Sequence, residues 1–324
     1  HNKSDLTRCT EDRGPLQMGL CFCCLRGETF NMERLNDEIG WNQLRYDIRT
    51  YTAQNERNRR GGEAGKVPDG YKYIGDRCFL NNGKVHEVVL PEECRIIGKQ
   101  AFEGCQFQKV VAFPEGLLEI KKRAFAVNHR LRKVVFPKSL EKLGAQAYQE
   151  CNKLHRVEFP NNSRCTVISE AAFDSCVNLI SVKLPCRTQV IERRAFYRCK
   201  ELKEINLPVA VREIGEEAFY FCAMEELELP PNLKVIGDSA FFRCKQLREV
   251  YIPESVKKIG RWAFHGCSRL ERLEILHDPD EIGPWIINKS CTLVCQKGGK
   301  VDHYAREYGF KCEYVEEMME RKEG

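Results

Sequence analysis

The sequence predicts a solenoid: a stack of similar coils, each adding one strand to a parallel sheet. Three landmarks that recur in step along the 324 residues carry this prediction. An alanine–aromatic pair stands at Ala101-Phe102, Ala124-Phe125, Ala147-Tyr148, Ala172-Phe173, Ala195-Phe196, Ala218-Phe219, Ala240-Phe241 and Ala263-Phe264, after a first Cys78-Phe79. The aromatic positions advance by 23, 23, 23, 25, 23, 23, 22 and 23 residues. Proline keeps the same step at Pro91, Pro114, Pro137, Pro160, Pro185, Pro208, Pro230 and Pro253. Cysteine follows the aromatic by three residues at Cys105, Cys151, Cys176, Cys199, Cys222, Cys244 and Cys267, with Asn82 and Asn128 in the same slot of two further repeats. Self-similarity at such a period marks a repeat architecture.

The stretch Leu202 to Met224 justifies the elements of one coil. Ile205 and Leu207 alternate, as a half-buried strand requires. Pro208 ends the strand because it has no N–H for a ladder. Val211 and Ile214 then turn inward along a second short extended piece, and Gly215 permits a sharp bend. Ala218, Phe219 and Cys222 are spaced to share one side of a helical turn. One coil of this size cannot bury its own apolar set, but stacked coils can, because like residues pack on like. At ~4.8 Å per coil, nine coils reach ~40 Å.

The unit Leu-x-x-Val-x-Leu-Pro, Ile-Gly, Ala-Phe-x-x-Cys-x-x-Leu resembles the BspA-like (Treponema-type) class of leucine-rich repeat over about residues 68 to 316. The resemblance implies a leucine-rich-repeat solenoid of about nine to ten coils, curved, with the parallel sheet on its concave side. It also implies protein binding rather than catalysis, and many relatives are bacterial or protist surface adhesins. Thr292 to Cys295, Gly298, Tyr304-Ala305, Tyr308-Gly309-Phe310 and Cys312 to Val315 resemble the strand–helix–strand cap that closes such proteins. The expected organisation is an N-terminal segment at 1–66, repeats at 67–290, the cap at 291–316 and a charged tail at 317–324. The fourth repeat departs by a two-residue insertion near Asn161 to Arg164.

Residues 1–66 carry no repeat. Asn31 is placed to cap a helix starting at Met32, with Met32, Leu35 and Ile39 on one face. Leu44, Ile48 and Tyr51 form a second helical stripe. Gly61 to Lys66 read as a flexible linker running to Pro68. The segment's expected task is to cover the apolar end of the first coil, the alternative being a partner-binding extension.

Composition narrows function. Lys and Arg number 52 against 47 Asp and Glu, so a net charge of +5 is spread too thinly to mark a nucleic-acid binder. No apolar run approaches the ~20 residues of a membrane helix, and no cleavable signal is apparent. Gly61-Gly62-Glu63-Ala64-Gly65-Lys66 is one residue short of a phosphate loop and lacks its Ser or Thr. No cofactor is implied. Of the eighteen cysteines, seven occupy the repeat slot, as small buried hydrophobes. Cys9, Cys21, Cys23 and Cys24 are the candidate zinc ligands and the basis of the other function class, a metal-binding or enzymatic N-terminal module, although they lack Cys-x-x-Cys spacing. Cysteines with no evident pairing favour an intracellular chain, with the cell surface as the alternative that the resemblance supplies.

The partner face follows from strand alternation. Two residues before proline the outward column runs Val89, Ala112, Val135, Glu158, Lys183, Asn206, Glu228 and Tyr251, with Glu274 in the last coil. The neighbouring columns supply Lys109, Arg132, Lys133, His155 and Arg156 early, and Glu204, Glu225, Glu226, Glu249 and Glu271 late. This predicts a bipolar face that binds another protein. The stacked acids Glu204, Glu226 and Glu249 would repel at ~4.8 Å unless something basic faces them.

Overall fold

The computed structural model describes residues 49–59, 64–107 and 112–316. They wind as a parallel-stranded solenoid with two ladders running along the stack. The first ladder is built from the Ile-Gly pieces. Its rungs are Thr50–Tyr51, Tyr73–Ile74, Ile96–Ile97, Glu119–Ile120 and Lys142–Leu143, then Val167–Ile168, Val190–Ile191, Glu213–Ile214, Val235–Ile236, Lys258–Ile259 and Glu281–Ile282. Among the described residues these are eleven rungs, more than the nine to ten coils expected, because Thr50–Tyr51 and Glu281–Ile282 add a rung beyond each end of the aromatic series. Thr50–Tyr51 pairs in parallel with Tyr73–Ile74, so the ladder starts inside the stretch expected to be helical. Tyr51 is a strand residue, not part of a helical stripe. Among the described residues of that stretch, Ala53–Asn58 form a helix with a capping box between Thr52 and Asn55. The candidate helix at Asn31 to Ile39, the residues Leu44 and Ile48, and the tail 317–324 lie outside the described residues.

The second ladder is built from the strands before proline. Lys133–Val135, Arg156–Glu158, Ser181–Lys183 and Glu204–Ile205 form one sheet. Glu249–Ile252, Arg272–Ile275, Thr292–Cys295 and Lys311–Tyr314 form another. Upstream, Lys66 makes a parallel bridge to Val89, so the end of the expected linker adds to this side of the stack.

Two breaks between ladder sheets sit at repeats of unusual length. The Ile-Gly ladder divides between Lys142–Leu143 and Val167–Ile168, across the insertion. The proline-side ladder divides between Glu204–Ile205 and Glu249–Ile252, across the one repeat of 22 residues. There the chain runs Cys222-Ala223-Met224 and has lost one residue of the turn that follows cysteine elsewhere. The buried Met224 takes the leucine position, and residues 225 to 229 form no strand.

The Ala-Phe segments are β-turns, not helical turns. Among the described residues seventeen non-glycine residues have positive φ, and all but Trp285 fall two before or two after a core aromatic, as at Glu217 (54°) and Phe221 (66°) around Phe219. A left-handed conformation costs about 1–2 kcal/mol per L-residue. Bonds between coils offset it: the N–H groups of Glu217, Phe219 and Phe221 donate to the carbonyls of Asp238, Ala240 and Phe242 at 2.9, 2.8 and 2.8 Å. The sequence spacing of Ala, Phe and Cys fits either geometry, and coil-to-coil bonding selects the turns. Gly215 acts through close approach rather than a special dihedral, since a Cβ there would lie 2.7 Å from the Arg193 nitrogen.

The core is a column of rings. Phe79, Phe102, Phe125, Tyr148, Phe173, Phe196, Phe219, Phe241 and Phe264 stack with centroid spacings of 4.8, 5.2, 5.2, 5.7, 5.5, 5.3, 5.3 and 5.1 Å. Tyr51 extends the column by one ring, 6.0 Å from Phe79. After the strand Thr292–Cys295, the helix Lys300–Tyr308 crosses to Lys311–Tyr314, which pairs in parallel with that strand.

Candidate functional site

Alternation along the proline-side strands puts Val134, Val157 and Val182 in the core and their neighbours outward. Of the sequence-derived candidates, Val89 (43% exposed), Val135 (37%) and Tyr251 (46%) present apolar surface. Ala112, Arg132, Arg156, Lys183, Glu204, Asn206, Glu226, Glu228 and Glu249 are also exposed, and Lys133, Glu158 and Glu274 are half-buried. Lys109 lies outside the described residues, as do Cys9, Cys21, Cys23 and Cys24. Ile180 (40%), which stands in the column five residues before proline, and Val209 (62%), which lies outside the columns, add exposed apolar area.

The expected separation of charge is softened by local pairing. Glu158 takes Lys133 at 3.0 Å and Arg156 at 3.9 Å, so the basic end holds its own acid. Arg272 serves Glu274 at 3.4 Å and Glu313 at 2.8 Å inside the acidic end. Exposed pairs of this kind stabilise by about 0–1 kcal/mol each, so they set surface charge more than they hold the fold. The three-acid column is not a continuous ladder either. Glu204 pairs in register with Ser181 and Glu249 with Arg272, while Glu226 lies in the strandless repeat between the two sheets. The hydrogen-bonded ladder therefore does not run through all three acids.

The repeat cysteines have a structural task beyond filling space. Each of the seven thiols donates to the carbonyl of the aromatic residue one coil earlier, as Cys199 does to Phe173 at 3.2 Å and Cys244 to Phe219 at 3.1 Å. Asn128 fills the same slot through its amide, which donates to Phe102 at 2.9 Å and Phe125 at 2.7 Å. Burial pushes Cys105 and Cys244 up to about 12, which keeps the thiols protonated and able to donate. A thiol held in that form is a poor nucleophile. Among the described residues no three His, Cys, Asp or Glu groups converge on a metal position. Two clefts of about 280 and 470 Å³ are lined by Asp280, Lys300, His303 and Tyr304 and by Arg248, Ser268, Arg269, Glu271 and Ser290.

The sequence reading also missed a second surface feature. The position after each core aromatic reads Leu80, Glu103, Ala126, Gln149 and Asp174, then Tyr197, Tyr220, Phe242 and His265. The last four rings stack in a half-buried row on the turn side of the coil. The signal lies in the residue that follows each core aromatic, where four successive repeats carry a ring.

The model of the BspA type leucine-rich repeat region matches the chain in six copies, over residues 72–185 and 166–294. No curated protein matches it. A leucine-rich repeat protein from Bacteroides ovatus is 21% identical with a TM-score of 0.59; the match covers 74% of this chain and 64% of that one. A leucine-rich repeat protein from Eubacterium ventriosum is 20% identical with a TM-score of 0.43, covering 63% of this chain and 45% of that one. The Treponema pallidum leucine-rich repeat protein is 23% identical with a TM-score of 0.33, covering 56% and 85%. The chain therefore spans about two thirds and less than half of the first two neighbours.

Proposed function

The chain belongs to the BspA-type leucine-rich repeat family, and on that premise we propose that it is a non-enzymatic scaffold that holds a partner protein on the outer face of its proline-side strands. The family is consistent with protein-interaction or surface-protein roles. One observation carries the narrower reading: Val89, Val135, Ile180 and Tyr251 are exposed large apolar residues spread along one side of the coil, among Lys133, Arg156, Glu204 and Glu249. Aromatic and aliphatic anchors inside a charged surround are the arrangement in which a few residues supply most of the affinity while charge sets orientation. The free rows of such strands are fixed by the solenoid, so little ordering entropy is lost on binding.

The test is a quantitative pull-down from source cells with three baits: wild type, a Glu204→Lys, Glu226→Lys, Glu249→Lys variant, and Tyr251→Ala. The expected result is selective loss of the same prey from both variants. Recovery of identical preys by all three baits would show this face to be solvated surface and end the proposal. An extracellular prey would place the chain among surface proteins, and an intracellular prey among assembly subunits.

A further inference from the structure

The turn side of coils six to nine carries a row of rings that core packing does not need. Tyr197, Tyr220, Phe242 and His265 stack at 4.8, 5.0 and 5.9 Å, and Phe221 packs beside Tyr220 at 5.8 Å. None of the five is fully buried. Cations lie over them: Arg198 over Tyr197 at 5.3 Å, Arg243 over Phe242 at 5.4 Å and over Phe221 at 5.6 Å, and Lys245 over Phe221 at 5.5 Å. Arg198, Arg243 and Lys245 are exposed, and no carboxylate among the described residues pairs with any of them. The nearby Arg194 differs, because Glu217 neutralises it. In the preceding coils the same column is Leu80, Glu103, Ala126, Gln149 and Asp174, so the row is confined to one stretch.

We propose that this row is a second interaction surface and that it takes an acidic segment of a partner protein. The charge fits: three unpaired cations across neighbouring coils offer donors to carboxylates. The rings fit as well. Stacked face to face along the axis, they turn their edges outward, and aromatic edges carry the positive end of the ring quadrupole. The phenol hydroxyls of Tyr197 and Tyr220 have no hydrogen-bond partner among the described residues. The surface is therefore electropositive and donor-rich even where it is apolar. Its composition of Tyr, Phe and Arg is that of interface cores. The same geometry disfavours single-stranded nucleic acid, which binds by stacking bases on open ring faces; here neighbouring rings and guanidinium groups occupy those faces. The row lies on the turns rather than on the proline-side strands, so this inference stands independently of the scaffold face proposed above.

The experiment selects a displayed library of random 12-residue peptides on the full chain. Selection is counter-screened against an Arg198→Glu, Arg243→Glu, Lys245→Glu variant, with labelled oligothymidylate of 12 nucleotides as the competing probe. The expected result is enrichment of peptides with net negative charge and interspersed apolar residues. Their affinity should fall at least tenfold on the charge-reversed variant and on Tyr220→Ala, and should weaken with added salt. Enriched peptides without an acidic bias, an empty selection, undiminished binding to the variant, or tighter binding of the oligothymidylate would each overturn the proposal. If the charge-reversed chain fails to fold, the Gln variant at the same three positions replaces it, because it removes charge without adding repulsion.

Discussion

Tyr148→Phe should stabilise the protein. Tyr148 occupies the core column at a position that is phenylalanine in every other repeat of the series, and its hydroxyl is buried without a hydrogen-bond partner. Burial also pushes this phenol well above its ordinary value, so it stays neutral. An unsatisfied buried hydroxyl costs about 1–3 kcal/mol. Removing one oxygen opens a void of roughly 10 Å³, which at about 24 cal/mol per Å³ returns only ~0.2 kcal/mol. The ring contacts survive: Phe125 at 5.2 Å, Phe173 at 5.7 Å and Phe136 edge-on at 5.7 Å. The 5.7 Å gap toward Phe173 is the widest spacing in the series from Phe79 to Phe264 and falls at the two-residue insertion, which explains how the larger side chain is tolerated. The net expectation is a gain of about 1–2 kcal/mol. With a urea slope of about 3 kcal/mol per M, the unfolding midpoint should rise by about 0.3–0.7 M at unchanged slope. The assay is urea unfolding followed by circular dichroism. A midpoint that falls by more than about 0.2 M would refute the reasoning, because it would mean the hydroxyl has a partner such as a buried water.

Three further outcomes test other levels of the structure. Phe196→Ala, which empties a fully buried slot between Phe173 and Phe219, should cost about 3–5 kcal/mol, whereas the exposed Asn206→Ala should change stability by less than about 0.5 kcal/mol; equal losses in urea unfolding would invert the assignment of inside and outside. Asp302 accepts from the Gly298 N–H, Tyr314 and Arg306, bonds that hold its carboxyl below the usual carboxylate range. A lowered folded-state value contributes stability that is present above the unfolded value near ~4 and is lost as pH falls below it. Asp302→Asn should therefore lower the melting temperature at pH 7, with the difference from wild type shrinking as pH falls below ~4; a pH-independent difference would contradict the linkage. Cys295 and Cys312 hold their sulfurs 3.2 Å apart on neighbouring strands, with Cys312 partly accessible. Diamide, by accepting the two thiol hydrogens, should join this pair ahead of the repeat cysteines, and peptide mapping that finds another linkage first would disprove the ordering.

Much of the fold was legible because a repeat states the same packing problem many times. The recurrence of Ala-Phe, proline and cysteine determined a stacked parallel solenoid, an inward column of rings and an outward column beside proline, since period and alternation depend only on the chain's own geometry. The residues chosen for the outward column, Val89 to Glu274, are exposed or half-buried wherever the structure describes them. What the sequence could not decide depends on contacts between coils. Thr50–Tyr51 carries no landmark and joins the ladder only through its bonds to the next coil. The Ala-Phe segment is a left-handed β-turn pair because N–H groups such as that of Phe219 find carbonyls in the following coil, which no spacing within one repeat encodes. Glu204, Glu226 and Glu249 read as one repulsive column, yet a single missing residue parts the ladder between them. The row from Tyr197 to His265 exists only when four coils are superposed. Inside and outside follow from local periodicity; which ladders continue, which turns form and which side chains meet follow from the register of one coil on the next.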